Sequence, residues 1–420
     1  MEIVRKRAWI ALGAATLLVA YLGSAAWKVA WARQNPEAAR IARYERIFDR
    51  AWSAVDKHYY DPDFDHARWR QIRDVYRPRV REMPDETMFY INVLHNMMNA
   101  VGTSHVSIMM PPVERVESRE PVVAAGQNAP SKPFGCGGRH LRIDYGFDLA
   151  TVRRGAQTFL VVADVRRGSP PERAGLAPGD VVRDMTITPR PGGCSHATMT
   201  VANPGQAARK VAFEVPDWQR PPPLQRIDLP SGVRVLRFDT FDRNSLDWLS
   251  DNLADAPRSG LVLDFRRNGG GKVWVERKVA SQFLPEGVVI ARNVTRGRER
   301  LEKTQRVASR YEGALIVLIG PATGSAAEVT ASALRRQGRA VLIGSQTAGA
   351  VLMSRNFPLP GGGGVQVAVA DVLTADGQRL EGVGVKPDLV VPQTLDAIRA
   401  GRDLPLEAAE RALLEGRSRP

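Results

Sequence analysis

Residues 314–338 read ALIVLIGPATGSAAEVTASALRRQG. Leu315 to Ile319 form an unbroken aliphatic run closed by Gly320-Pro321, which predicts a strand. From Ala326 the composition turns to good helix formers, and a helix is expected up to Gly338. Ser325 stands at the helix start, where backbone N–H groups lack intrahelical partners and the dipole favours negative charge. Strand, glycine turn and helix make the repeating unit of an α/β layer.

The unit recurs over 231–396. VRVLRFD (233–239), GLVLDF (260–265), AVLIG (340–344) and VQVAVADVL (365–373) are strand candidates. NSLDWLSDNLAD (244–255) and VWVERKVASQFL (273–284) are helix candidates between them. This alternation predicts an α/β core with much parallel pairing over 226–400. LPLEAAERALLE (404–415) adds an amphipathic helix within a C-terminal segment 401–420.

Towards the N-terminus the character changes. Ile41, Tyr44, Ile47, Phe48, Trp52 and Val55 recur at helical spacing, as do Trp69, Ile72 and Val75. A third helix opens at Pro84-Asp85, with Met88, Ile91, Leu94, Met97 and Met98 expected to face inward as core. A helical subdomain is therefore expected over 36–110. Residues 111–135, rich in Pro and Ala, read as a linker, and QRPPPLQ opens a second boundary over 220–230. Between them, 136–225 alternates short β-type runs such as TFLVVADV with Gly/Pro turns.

Residues 1–34 begin with Arg5, Lys6 and Arg7, followed by an apolar run from Ala8 to Trp27. About twenty residues at 1.5 Å each match the hydrocarbon thickness of a bilayer. The basic flank predicts an anchor with its N-terminus in the cytoplasm and the rest of the chain outside. Ala30-Trp31-Ala32 offers the alternative of a cleaved export signal.

Across 420 residues, 59 Lys+Arg stand against 45 Asp+Glu, a net charge of +14. The basic residues are scattered, as at Arg166, Arg183, Arg220 and Arg335, without interleaved aromatics. That speaks against a nucleic-acid groove. Two cysteines, Cys136 and Cys194, give no CxxC spacing and hence no zinc ribbon. They could pair in an oxidising compartment or remain separate thiols.

Four segments carry residue types suited to catalysis. Ser325 at a helix start can be a nucleophile whose oxyanion is held by the Ala326 amide; equally, serine is an ordinary N-cap. His105, in AVGTSHVSIMM (100–110), has the chemistry of a general base or of a structural histidine. LVLDFRRNGGG (261–271) ends a strand in three glycines, which let backbone amides approach a ligand closely. Its spacing is not that of a phosphate-binding P-loop, and an oxyanion loop fits equally well. Glu381, in DGQRLEGVGVKPDLVV (376–391), reads alone as a loop carboxylate.

SPPERAGLAPGDVV (169–182) is the most specific string in the chain. It resembles the PDZ domain of bacterial proteases. Tyr145, Gly146, Phe147, Asp148 and Leu149 (YGFDL) then lie where that domain's carboxylate-binding loop would be. Such a loop aims backbone N–H groups at a peptide C-terminus while the peptide adds a strand to the sheet edge.

Taken together, the segments resemble the C-terminal-processing (tail-specific) serine peptidases, in their tricorn-like branch, over about residues 40–395. LDFRRNGGG is similar to the family's D-x-R-x-N-x-G-G, and TGSAAEVTASALRR to its nucleophile helix. The resemblance implies a multidomain α/β protein: an N-terminal helical subdomain, an inserted β-rich PDZ domain and a ClpP/crotonase-like protease core. The processing branch carries a lysine after the nucleophile; here QTAGAVL (346–352) places Ala350 there. A Ser/Lys dyad is thus unavailable, and the Ser-His-Ser-Glu tetrad of the tricorn-like branch is implied instead. Ser325 would be the nucleophile, His105 the base, Ser104 its orienting partner and Glu381 the residue holding Ser104, with Gly270 and Ala326 as the oxyanion hole. No metal or cofactor is implied. Partners would be protein or peptide substrates and a membrane, with the catalytic part in the periplasm or outside the cell. The alternative is a non-catalytic peptide- or ligand-binding protein on the same scaffold, or a PDZ adaptor.

Overall fold

Ile47, Phe48, Ala51 and Val55 all fall on one side of a helix and all are excluded from solvent, as their spacing demands. The computed structural model describes residues 32–111, 146–154, 157–165, 169–188, 195–203, 206–215 and 224–417. Residues 1–31 of the expected anchor or signal segment 1–34, residues 112–135 of the expected linker, Tyr145, Cys136 and Cys194 lie outside these. Among the described residues no helix is long and apolar enough to cross a membrane. The chain divides into two compact units.

The first unit comprises 32–59, Asp63–Pro111 and Ser354–Ala368. Helix α1 (Pro36–His58) packs on α2 (His66–Tyr76) through Trp52 and Trp69. Each indole N–H donates to the other residue's carbonyl, at 3.0 and 3.2 Å, so neither donor is left unpaired. Helix α3 runs through Glu86–Met88, a π segment Phe89–His95, and Asn96–Asn99. The π segment corrects the expected stripe. Its wider turn rotates the face, so Phe89, Tyr90, Val93, Leu94, Met97 and Met98 are buried, whereas Met88 and Ile91 are 43% and 41% exposed. After α3 comes the short strand β1 (Ser107–Met109).

A hairpin from far along the chain completes this unit. Strand β14 (Met353–Pro358) pairs with β15 (Gly364–Leu373), and β1 pairs antiparallel with the start of β15: Ser107 opposite Gln366, Ile108 opposite Val365, Met109 opposite Gly364. Phe357 of the hairpin stacks on His58 of α1 with ring centroids 4.4 Å apart.

The second unit holds two sheets and most of the helices. One sheet runs in the order β16-β13-β12-β9-β8-β7. These strands are β7 (Leu224–Asp228), β8 (Arg234–Phe238), β9 (Leu261–Asp264), β12 (Leu315–Ile319), β13 (Val341–Gly344) and β16 (Leu389–Val390). All neighbours are parallel except the edge pair of β7 with β8. Every residue of β9 and β12 is buried, which explains their unbroken apolar reading. Helices α5 (Arg243–Ala254), α6 (Val273–Ser281) and α7 (Ala326–Arg336) contribute Leu246, Leu249, Val275, Val279, Val329 and Leu334 to the main core. Ala409, Ala412 and Leu413 of α9 (Leu404–Leu414) join a second cluster with Val262, Ile316 and Ile343. A β-hairpin of β10 (Val289–Thr295) and β11 (Arg298–Lys303) completes this part.

The other sheet is an antiparallel meander, β2-β3-β4-β5-β6, of Phe147–Arg154, Gln157–Val165, Val181–Thr188, Ser195–Val201 and Arg209–Val215. The short helix α4 (Pro170–Arg173) and the Pro178-Gly179-Asp180 turn lie between β3 and β4. Buried Asp180 accepts bonds from the Ala177 amide, Asn203 and Arg209, which fixes that turn. Val152, Val161 and Val181 of this sheet pack on Leu395 and Ile398 of α8 (Leu395–Arg399). Arg399 donates to Gly179 O and to Asn203 Oδ1 at 3.2 and 2.8 Å.

Candidate active site

Strand β12 and helix α7 meet at a turn whose own hydrogen bonds hold it. Thr323, fully buried, donates to Phe265 O at 2.8 Å and accepts the Gly320 N–H at 2.9 Å. The turn delivers Ser325 with φ 51 and ψ −123, a region non-glycine residues seldom occupy. This is a strained strand-to-helix corner. Only three described non-glycine residues have positive φ: His105, Arg296 and Ser325.

The glycine-rich loop after β9 presses against this corner. Gly270 has φ +90, and a Cβ placed there would lie 2.5 Å from Ser325 Cβ and 2.8 Å from the Ala326 nitrogen. Only glycine permits both the dihedral and the approach. Asn268, fully buried, shapes the loop. Its Nδ2 donates to Phe238 O at 2.7 Å, its Oδ1 accepts the Gly270 N–H at 2.9 Å, and its carbonyl accepts the Gly324 N–H at 2.9 Å. The Gly270 amide therefore rests on Asn268. Below it, Arg266 forks onto Asp264 at 2.9 and 2.6 Å and onto Asp403 at 2.7 and 2.8 Å. Burial alone would push the Asp264 carboxyl up, but Arg266 and Arg237 hold it below the usual carboxylate range.

Sequence reading gave no role to Glu328, yet this residue joins the pieces. It is fully buried on the first turn of α7 and accepts four hydrogen bonds: from the Ser325 N–H (3.1 Å), Thr347 Oγ1 (2.5 Å), the Gly349 N–H (2.7 Å) and the Ala350 N–H (2.9 Å). Burial pushes its carboxyl upward and these donors pull it back. The signal was present in the sequence, since a serine followed three residues later by glutamate is the capping-box pattern. The Ser325 N–H also donates to Ala350 O at 2.8 Å.

Glu381, 8% exposed, lies on the far side of the same segment and accepts the Val351 N–H at 2.9 Å. Ser325, Ala326, Gly270, Ala350 and Glu381 are thus one connected group in the second unit. Ser104 and His105 form the other group, in the first unit, where Ser104 Oγ lies 2.7 Å from His105 Nδ1. Both are half-buried, and His105 has φ 59. Left-handed backbone at a residue with a Cβ costs roughly 1–2 kcal/mol, so its surroundings must impose it.

Of the YGFDL segment, Gly146 and Phe147 are buried, with Phe147 edge-on to Phe213 at 5.8 Å within the antiparallel sheet. Leu149 packs partly against the same cluster. Asp148 pairs with Arg267, the residue before Asn268 of the glycine-rich loop.

Known proteins resemble this chain in sequence and in fold. Residues 232–391 match the sequence model of Peptidase family S41, and residues 42–99 that of the Tricorn protease C1 domain. A carboxyl-terminal-processing protease of Picosynechococcus sp. is 26% identical over 364 residues, 82% of each chain. A carboxy-terminal-processing protease of Bartonella bacilliformis is 34% identical over 155 residues, 36% of this chain and 35% of that one. Among solved structures, the photosystem II D1 C-terminal processing protease aligns with TM-score 0.54 at 23% identity, covering 89% of this chain and 98% of that one. The tricorn protease aligns with TM-score 0.54 at 16% identity, covering 90% of this chain and 37% of that one. At these identities the structural likeness is one of fold.

Proposed function

We propose that Ser325 is the nucleophile of a serine peptidase and His105, not a lysine, its general base, a reading supported by the match of residues 232–391 to Peptidase family S41. The observation that carries this reading is the contact between Ser104 Oγ and His105 Nδ1 at 2.7 Å, in a chain whose lysine place holds Ala350. With Nδ1 committed to Ser104, Nε2 takes the Ser325 Oγ proton as the oxygen attacks the scissile carbonyl. The C–N bond breaks as the imidazolium returns that proton to the leaving amine. Water, deprotonated by the same imidazole, then releases the acyl group. Glu381 completes the tetrad by holding Ser104; geometry and roles, not chain order, define such sites.

The oxyanion is received by the Ala326 amide at the α7 N-terminus and by Gly270. In this reading the Gly270 N–H exchanges Asn268 Oδ1 for the oxyanion as the tetrahedral state forms. Donors aimed at developing charge supply much of the rate of such enzymes.

The meander β2–β6 is read as a PDZ domain that recruits or gates substrate tails. Support comes from the fixed Pro178-Gly179-Asp180 turn and from the Asp148–Arg267 pair, which ties the YGFDL segment to the glycine-rich loop. Substrates are protein or peptide chains. Residues 1–34 are read as an inner-membrane anchor or export signal that puts the catalytic part in the periplasm or outside the cell.

The test is labelling of the full chain, in detergent micelles, with a fluorophosphonate probe. Labelling lost in both Ser325→Ala and His105→Ala supports the assignment. Undiminished labelling of His105→Ala overturns the base, and absent labelling of folded wild type favours a binding protein on this scaffold.

A further inference from the structure

Three side chains cross the first unit's small sheet in a line. Ser107 Oγ on β1 donates to Gln366 Oε1 on β15 at 2.9 Å, and Gln366 Nε2 donates to Ser354 Oγ on β14 at 2.6 Å. The middle residue is a half-buried glutamine that spends one acceptor and one donor on two different strands.

The rest of the hairpin is shaped to admit β1. Gly363 has φ +68, and a Cβ there would lie 2.8 Å from the Pro111 nitrogen and closer still to the Met109 carbonyl. At Gly364 a Cβ would lie 2.9 Å from Met109 Cε and 3.1 Å from Phe357 O. β1 is only three residues long, and three register pairs and this side-chain ladder bind it to the hairpin.

β1 begins two residues after His105. The left-handed turn at His105 is unfavourable by itself and persists only if the chain is fixed on both sides. On the near side, Tyr59 OH donates to Thr103 Oγ1 at 3.1 Å. On the far side the fixture is β1.

We propose that the 354–366 hairpin is the seat that sets the imidazole of His105, with Gln366 as its positioning residue. This rests on the reading of His105 as the base. Gln366 touches no reacting atom; it acts by locking β1, which locks the backbone from which the imidazole projects. A base displaced by about an ångström forfeits much of its rate, while substrate binding is untouched.

The experiment is a double-mutant cycle on the full chain in detergent, read by fluorophosphonate labelling rate and by kcat and KM on fluorescently labelled casein. Gln366→Ala is expected to lower the labelling rate and kcat about 10- to 100-fold, with KM within about twofold. Gln366→Glu keeps acceptors for both serine hydroxyls and is expected to recover most of the rate. Gln366→Met, which preserves length and packing, is expected to behave like Gln366→Ala and guards against a folding artefact. In a His105→Ala background, adding Gln366→Ala is expected to cost nothing more, because a residue acting only through His105 has nothing left to act on. A wild-type rate in Gln366→Ala and Gln366→Met overturns the inference, as does a further loss in the His105→Ala background. Wild-type activity of His105→Ala alone overturns instead the reading on which the inference rests.

Discussion

The carboxylate of Glu328 accepts the backbone N–H of Ser325 at 3.1 Å, and its two oxygens also take the amides of Gly349 and Ala350. One buried side chain thereby fixes both the turn bearing the serine and the segment that runs past it to Glu381. Leaving such donors unpaired costs about 1–3 kcal/mol for each group. Glu328→Gln puts an NH2 group among N–H donors, so it is expected to lower the melting temperature by several degrees and to slow fluorophosphonate labelling at least about tenfold. Glu328→Ala should do more of both. Thermal melts and labelling rates measured on the same preparations check this.

Gly270 has no room for a methyl group beside Ser325 Cβ and the Ala326 nitrogen. Gly270→Ala must push the glycine-rich loop back from the Ser325 corner. Losing one oxyanion donor typically costs about 10²–10³ in turnover, and a comparable fall in kcat is expected with KM little changed. Steady-state cleavage of labelled casein gives both numbers.

Ala350 carries the backbone carbonyl that meets the Ser325 amide, and in the proposed reading it takes the place of the processing branch's lysine. If that correspondence holds, Ala350→Lys in a His105→Ala background restores measurable labelling. Its rate should climb between about pH 8 and 10 as the ammonium deprotonates. A double variant as inert as His105→Ala would show that Ala350 is not the lysine place.

Glu276, on α6 just beyond the glycine-rich loop, is buried, and burial together with nearby Glu302 pushes its carboxyl up to about 8 against the pull of Arg277. The unfolded chain releases this proton near pH 4.3. Between about pH 4.3 and 8 the folded state therefore holds a proton that the unfolded state has lost, and this group's contribution to stability declines as pH rises. Glu276→Gln mimics the protonated form at every pH. It is expected to melt at a higher temperature than wild type at pH 8 to 9 and to show a flatter pH dependence. Scanning calorimetry from pH 5 to 9 decides the matter.

The parts of this protein that could be read from sequence are those fixed by neighbours in the chain. Leu315–Ile319 reads as a buried strand because both its faces are covered, and Gly269-Gly270-Gly271 reads as a close-approach loop because nothing but glycine tolerates φ +90 and +156 there. Ser325 and His105 stood out by type and context. The misreading of Met88 and Ile91 came from a π turn, which changes the period on which the stripe was counted. The excursion of Ser354–Ala368 into the helical unit left no local trace, since Gln366 is an ordinary strand residue until Ser107 is set opposite it. The fork of Arg266 onto Asp403 spans 137 residues and is equally silent in the linear pattern.

Ser107 and Gln366 are 259 residues apart in the chain. While the protein is being made, β1 waits without its strand partner until the ribosome has delivered residue 366. Prematurely terminated products, and chains caught halfway, therefore lack the framework around His105 even when their helices have formed. Synthesis past residue 366 is the condition for a seated β1, and on the reading of His105 as the base an unfinished chain is held idle by connectivity alone.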